Sequence, residues 1–279
     1  MKSPRIGFLG GGNMARALIG GLVARGVSAG ELSVGEPAEP AREQLARDFQ
    51  VRVSPDNRLA IRGCELIILA VKPQEAGPVL QALAPSLQQS APPPVLVSVA
   101  AGIRIASLQA WAGDLVSVVR AMPNRPALIG AGVTGLYAGP GVTLAQKTLA
   151  EEIMSAAGPV VWVARESDLD VVTALSGSGP AYFFLLAELM MQAAIDAGLE
   201  PEAARRLAVG TLYGAGAMAR GSDGDLARLR QEVTSRGGTT EAALGAFAAA
   251  DFSGIVASAM QAATRRSREL AAQFGDIPQ

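Results

Sequence analysis

The sequence predicts an α/β N-terminal domain of the Rossmann type, built on a doubly wound parallel sheet, followed by an all-α C-terminal domain. Three observations predict it. A short apolar run at 5–9 is followed at once by Gly10-Gly11-Gly12-Asn13-Met14-Ala15 and then by a helical pattern through Ala17, Leu18, Leu22 and Val23. Apolar runs then alternate with helical stretches as far as Val163, which is how a parallel sheet buried on both faces reads. Beyond that point the pattern is almost wholly helical. At 279 residues the chain is long for one core and suits two domains. The expected division is 1–163 and 164–279.

Taken in order, the first turn has the spacing Gly10-x-Gly12-x-x-Ala15. In a strand-turn-helix context this is the dinucleotide-binding fingerprint. The first Gly makes the turn, the second lets the pyrophosphate approach, and a small third residue packs helix on strand. A second strand, 32–34, ends near Glu36, where such folds place the residue that meets the adenosine ribose. The pattern continues with a helix over Glu39–Phe49, a strand at 66–71, a helix over 75–86, a strand at 95–100, a helix over Ile105–Ala112, a strand at 115–120 and a last strand at 160–163. Ligands in such sheets lie beyond the carboxyl ends of the strands. Those ends read Ala70-Val71-Lys72-Pro73-Gln74, Ser98-Val99-Ala100-Ala101-Gly102 and Met122-Pro123-Asn124. Three small or polar ends on adjacent strands predict a lined pocket.

In the helical half, Ser176-Gly177-Ser178-Gly179-Pro180 ends one segment and opens the next, with Pro180 suited to a first helical position. The helix at 181–198 carries Tyr182, Phe183, Phe184, Leu185, Leu186, Leu189, Met190 and Met191. A helix apolar nearly all round must be buried on every side. The remaining residues are too few to enclose it, so a second copy of the chain is the natural cover and the C-terminal domain reads as a dimerisation domain. The next helix, 205–220, has Gly210, Gly214, Ala215 and Ala217 at spacings that allow close helix approach. A last helix over Phe252–Phe274 ends in Arg265, Arg266, Arg268 and Glu269, read as a solvated face.

The stretch 233–247, VTSRGGTTEAALGAF, reads as a loop, a bend and the first turns of a helix. Gly237 and Gly238 open backbone conformations closed to other residues, and Thr239 or Thr240 can cap a helix whose apolar face begins at Ala243, Leu244 and Phe247. Two readings fit. One is an ordinary capped helix. The other is an anion site, in which the unpaired N–H groups of the helix start bind a small carboxylate and the Thr240 hydroxyl reaches its neighbouring group.

Composition excludes several classes. The net charge of −1 comes with scattered Lys and Arg, which argues against a nucleic-acid partner. No stretch reads as the ~20 predominantly apolar residues of a membrane span, and no apolar run long enough for a signal peptide precedes the glycines, so a cytoplasmic chain with no membrane contact is expected. Cys64 is the lone cysteine and there is no histidine, which leaves no metal cluster, no Ser-His or Cys-His pair and no His base. The lysines are Lys2, Lys72 and Lys147, so the C-terminal domain, 164–279, lacks any Lys to act as an acid. Whatever reaction occurs there needs little proton transfer from the protein.

The motifs FLGGGNMA, AVKPQ at 70–74, SVAAGI at 98–103, MPN at 122–124, SGSGPAY at 176–182 and VTSRGGTTEAALGAF at 233–247 together resemble the pyrroline-5-carboxylate reductase family along essentially the whole chain. The resemblance implies that Gly10, Gly12, Asn13 and Met14 hold the pyrophosphate of NADPH or NADH, that Ala70, Val71, Lys72 and Pro73 border the nicotinamide ribose, and that Asn124 lies near the nicotinamide. It implies that Ser235, Gly237, Gly238, Thr239 and Thr240 hold the carboxylate of 1-pyrroline-5-carboxylate, with the Thr240 hydroxyl on the ring nitrogen as the catalytic group. It also implies a homodimer, in a family whose dimers often gather into larger rings. Arg236 and Arg125 stand where the family usually has Pro and Thr. Arg236 removes a φ restraint from the substrate loop but adds positive charge near a carboxylate.

Reduction of a cyclic imine explains the missing histidine, because an imine of modest basicity arrives already protonated and the protein has chiefly to align hydride and imine carbon. The rival readings are a β-hydroxyacid-type dehydrogenase, which needs an acid to protonate an alkoxide, and a non-catalytic NAD(P)-binding regulatory protein. A carboxylate at Glu36 accepts from ribose hydroxyls and repels a 2′-phosphate, so NADH should serve at least as well as NADPH unless Arg42 meets the phosphate.

Overall fold

The computed structural model describes residues 4–222 and 224–275. The chain divides into two compact units. One runs to Gly177 and includes the residues from Ala263 onward, and the other is Ser178–Ala262. The first unit thus closes after Gly177 and takes back the end of the chain.

The first unit is built on an eight-stranded sheet in the order β3-β2-β1-β4-β5-β6-β7-β8. Its strands are β1 (Ile6–Leu9), β2 (Leu32–Gly35), β3 (Arg52–Ser54), β4 (Leu66–Leu69), β5 (Val95–Ser98), β6 (Ser117–Met122), β7 (Thr134–Ala138) and β8 (Val160–Trp162). Phe8 stands opposite Val34 on one side and Ile68 on the other. Alternate residues face alternate layers, as the strand period requires. Ile6, Phe8, Leu66, Ile68, Val95 and Val97 join one core with the helix α1 (Asn13–Ala24) and α2 (Glu39–Phe49). Leu9, Ile67, Leu69 and Leu96 join a second core with α4 (Pro73–Gln88) and α5 (Ile105–Ala112). Central strands buried on both faces are the reason their sequences are continuous apolar runs.

The sheet is not wholly parallel. β6 and β7 pair antiparallel, with Arg120 opposite Tyr137, while β7 and β8 return to parallel pairing. A short 3-10 turn, Arg125–Ile129, joins β6 to β7, too little chain for the crossover that a parallel return demands. β7 has no apolar run to announce it, since TGLYA carries Gly135 as its second residue and follows a glycine-rich segment. β3, three residues long and incompletely buried at the sheet edge, is equally faint in sequence, as is the short helix α3 (Asn57–Ile61) that follows it. The helix α6 (Leu144–Met154) begins at a capping box between Thr143 and Gln146. β4 stops at Leu69, although Ala70 N–H still donates to Leu9 O at 2.8 Å, and β6 begins at Ser117, past the exposed Leu115. Cys64 packs as a buried free thiol whose Sγ donates to Ala60 O at 3.4 Å.

After β8 come α7 (Asp168–Val172), a π turn over Thr173–Gly177, and the helices of the second unit: α8 (Gly179–Asp196), α9 (Pro201–Gly221), α10 (Leu226–Glu232) and α11 (Thr239–Ala249), with the start of α12 (Phe252–Gly275). α8 and α9 pack on each other. Even so, Phe183, Phe184, Leu189 and Met190 of α8 and Leu207, Val209 and Tyr213 of α9 stay exposed in the single chain. The charged end of α12 is not simply a solvated face. Arg266 and Glu269 pair at the surface, but Ser267 and Ala271 are buried in the first unit.

Candidate active site

The carboxyl ends of β1, β2 and β4 border a cleft of ≈ 550 Å³ in the first unit. It brings together six of the residues expected at the cofactor: Gly10, Gly12, Glu36, Ala70, Val71 and Lys72. Gly10 turns the chain at φ +94, a region that disfavours any side chain, and its N–H donates to Gly35 O at 2.8 Å. At Gly12 a Cβ would meet nothing within 4 Å, so the backbone there faces open space into which a ligand can come close. Gly12 is also the N-cap of α1, with no side chain capping the helix. Its first N–H groups are therefore open to an anion, as a pyrophosphate requires. Ala15, the small third residue, is fully buried.

The far wall carries the acid. Glu36 accepts from Gly11 N–H through Oε2 and from Ala38 N–H through Oε1, both at 2.9 Å. The carboxylate thus braces the glycine turn and holds a negative charge at the β2 end of the cleft. Arg42 does not lie free to meet a phosphate, because its guanidinium donates to the carbonyl oxygens of Glu36 and Pro37. Lys72 is the cation in the cleft wall, exposed and without an ion pair among the described residues. The wall also contains Asn57, which sequence reasoning missed. Its Oδ1 is buried and has no hydrogen-bond partner among the described residues, the kind of group a bound polyol satisfies. The run Ser54-Pro55-Asp56-Asn57 is a helix-start signal that would have found it, since Asp56 caps α3 by accepting from Arg58 N–H. These features fit a dinucleotide.

The other expected cofactor residues sit outside the wall. Asn13 opens α1, Met14 packs against the first core, and Pro73 begins α4. Asn124 is buried, its Nδ2 donating to Ser176 O at 3.1 Å and its Oδ1 accepting from Val133 N–H at 2.9 Å. It braces the chain after β6. Arg120 at that strand is buried and paired with Glu166 at 2.9 Å. Burial pushes its guanidinium down from its ordinary value, and Glu166 opposes the shift.

Ser235, Gly237, Gly238, Thr239 and Thr240 lie together in the second unit, across the loop after α10 and the first turn of α11. Neither threonine caps the helix. The N-cap of α11 is Gly238, with no side-chain cap bond, so Thr239 and Thr240 are its first two residues. The reason is the preceding turn, in which Gly237 takes φ +72 and Gly238 N–H donates to Ser235 O at 3.0 Å. Glu241, one more residue that sequence reasoning missed, reaches back to accept from Gly237 N–H at 2.7 Å. An acid three residues into a helix is the signal for that contact. The N–H groups of Thr239 and Thr240 and the Thr240 hydroxyl have no partner among the described residues. The loop therefore offers two N–H groups at a positive helix end beside a free hydroxyl, which suits a carboxylate with a polar neighbour.

Comparison with known proteins decides the family. A chain from Pseudomonas aeruginosa named pyrroline-5-carboxylate reductase is 47% identical over 275 residues, covering 99% of this chain and 100% of its own length. The chain belongs to the pyrroline-5-carboxylate reductase family. It is an NAD(P)-dependent oxidoreductase of the kind that acts on a CH–NH group. A second reductase, from Vibrio alginolyticus, is 40% identical over 278 residues, covering 98% of this chain and 100% of its own length. Residues 166–270 match the family described as pyrroline-5-carboxylate reductase dimerisation, and 5–102 match coenzyme F420-dependent NADP oxidoreductases. Among solved structures, the reductase from Coxiella burnetii superposes with TM-score 0.93 at 37% identity, covering 96% of this chain and 99% of that one. The Plasmodium falciparum enzyme with NADP bound superposes with TM-score 0.81 at 29% identity, covering 97% and 99%. Contrary to the expectation of no membrane-length apolar stretch, the continuous helical run Asp168–Asp196 is long and apolar enough to cross a membrane by length and composition alone. The dimerisation match at 166–270 covers that run.

Proposed function

We infer that this chain catalyses the reaction its family is named for, reduction of 1-pyrroline-5-carboxylate to L-proline with NAD(P)H. The observation that carries the reading is the full-length match to curated reductases, which spans both the cleft and the loop at 235–240. The bound dinucleotide supplies the hydride. Gly10, Gly12 and Asn13 with the open start of α1 take its pyrophosphate, Glu36 its adenosine ribose, and Ala70, Val71, Lys72 and Pro73 border the second ribose. Met14 and Asn124 support the turn and the chain after β6. The N–H groups at the start of α11, with Ser235, Gly237, Gly238 and Thr239 shaping the loop, hold the substrate carboxylate. The Thr240 hydroxyl accepts a hydrogen bond from the protonated ring nitrogen. No residue here has to deliver a proton to carbon or oxygen, which suits a chain without histidine.

By function the chain divides into 1–163 for the cofactor and 164–279 for substrate and dimerisation, the latter close to the dimerisation match at 166–270, although 164–177 and the end of α12 fold into the first unit. The dimer buries the apolar faces of α8 and α9, dimers gather into a larger ring, and the enzyme acts in the cytoplasm. Titration with NADPH followed by addition of pyrroline-5-carboxylate tests the activity. Stoichiometric oxidation of NADPH supports it, whereas binding without turnover points to a regulatory NAD(P)-binding protein.

A further inference from the structure

We propose that residues 263–274 of α12 buttress the loop between β5 and α5 and so position the nicotinamide end of the cofactor, with Phe274 and Ser267 as positioning residues. This rests on the cofactor reading above. β2, β1, β4, β5 and β6 are consecutive neighbours in the sheet. The cleft starts at Glu36 after β2 and passes Gly10 and Gly12 to Ala70 and Val71 after β4. The next strand end in that direction is that of β5, and its loop is 99–104. A dinucleotide with its adenosine at Glu36 brings its reactive ring to that side.

The loop is lightly held from within. Val99 N–H donates to Leu69 O at 3.1 Å and Ala100 N–H to Ser98 Oγ at 3.3 Å, while Gly102 sits at φ +79. It is fixed from outside at two points. Glu166 Oε1 accepts the N–H of Ile105 at 2.7 Å, which pins the exit into α5. At the middle of the loop, a Cβ on Gly102 would lie 3.3 Å from the Phe274 ring and 3.5 Å from the backbone of Leu270 and Ala271. α12 and the loop are thus in contact with no room for a larger residue. Ala271 is buried, and Phe274 packs against the core cluster that holds Ala100, Ile103 and Ile105. The helix end is itself locked, because Ser267 Oγ donates to Asp170 Oδ1 at 2.7 Å with both residues buried, and Arg268 stands 3.9 Å from the other Asp170 oxygen. A chain of contacts therefore runs from α7 through α12 to the loop. Slack in it should misplace the reacting ring while leaving adenosine recognition on the far side of the cleft alone.

The test uses the full chain with Phe274→Ala, Ser267→Ala and the conservative Phe274→Leu. Three quantities are read: amide hydrogen exchange at 100–104 without cofactor, the Kd for ADP-ribose, and kcat with saturating NADH and pyrroline-5-carboxylate. Phe274→Ala should speed exchange in the loop about tenfold and lower kcat about tenfold, with the Kd for ADP-ribose within about twofold of the parent. Ser267→Ala should act in the same direction, and Phe274→Leu should restore most of both losses. A lowered melting temperature with unchanged loop exchange and unchanged kcat would assign α12 a merely structural role and overturn the proposal. Ala101→Leu separates this from the underlying reading, since bulk on that exposed residue should weaken NADH binding and spare ADP-ribose. If Ala101→Leu leaves NADH binding unchanged, it is the placement of the nicotinamide that fails, and the proposal falls with it.

Discussion

Replacing Thr240 by Ala separates chemistry from stability cleanly. Gly238 is the N-cap of α11 and no side chain caps the helix, so the Thr240 hydroxyl does no work for the fold. Removing it should cost no more than about 0.5 kcal/mol of stability, and the better helix propensity of Ala offsets a few tenths of that. The melting temperature should stay within about 2 °C of the parent. The N–H groups of Thr239 and residue 240 remain, so the carboxylate keeps its seat. A hydrogen bond to a charged partner is worth roughly 1.5–3 kcal/mol, so kcat/KM should fall about 10- to 150-fold. Thr240→Ser keeps the hydroxyl and should retain most of the activity. The assay is initial-rate oxidation of NADPH against pyrroline-5-carboxylate, run beside thermal unfolding of each variant. Near-normal kcat/KM in the Ala variant would remove Thr240 from the reacting centre, and a stability loss of about 1 kcal/mol would show that it caps α11 after all.

Glu36 is fixed in the cleft wall by Gly11 and Ala38 N–H and Arg42 is occupied by carbonyls, so on the proposed cofactor placement NADH should serve at least comparably to NADPH. A kcat/KM for NADPH more than about a hundredfold higher, some 2.7 kcal/mol, would contradict this role for Glu36. Leu189 is 58% exposed in the single chain, so Leu189→Asp is harmless to an isolated protomer but buries an unpaired charge in the dimer. It should yield aggregate or unfolded chain in light scattering, and a folded, active monomer at micromolar concentration would exclude α8 from the interface. Burial pushes the Cys64 thiol up, and its bond to Ser33 only partly opposes this. A raised folded-state value favours the neutral thiol. Its contribution to stability is therefore full below the unfolded thiol's range and is lost as pH rises through the folded value. Cys64 should stay unreactive to a thiol reagent at pH 8 until urea unfolds the chain, and rapid labelling of the native protein would refute its burial.

The residue pattern alone determined the cofactor half of this protein closely. A buried parallel strand must be apolar on both faces, so IGFL, LIIL and VLVS announce themselves. A turn that meets pyrophosphate must dispense with side chains, so Gly10 and Gly12 do the same. The missing histidine restricted the chemistry before any fold was in hand. Edge elements escaped for the converse reason. β3 and β7 are short and partly exposed or glycine-bearing, so neither burial nor periodicity marks them, and the antiparallel turn of β7 follows from a connection too short to cross the sheet. Only the tertiary structure decided which polar atoms were already engaged. It turned Arg42 onto carbonyls, Glu36 onto the glycine turn and Asn124 onto Ser176 and Val133, and it left Thr240 free by giving the cap of α11 to Gly238. It also returned the end of α12 to the first unit through Ser267, Ala271 and Phe274. Those outcomes rest on side chains distant in sequence meeting at particular distances, and a local pattern of charges or apolar residues carries no record of which partner each will find.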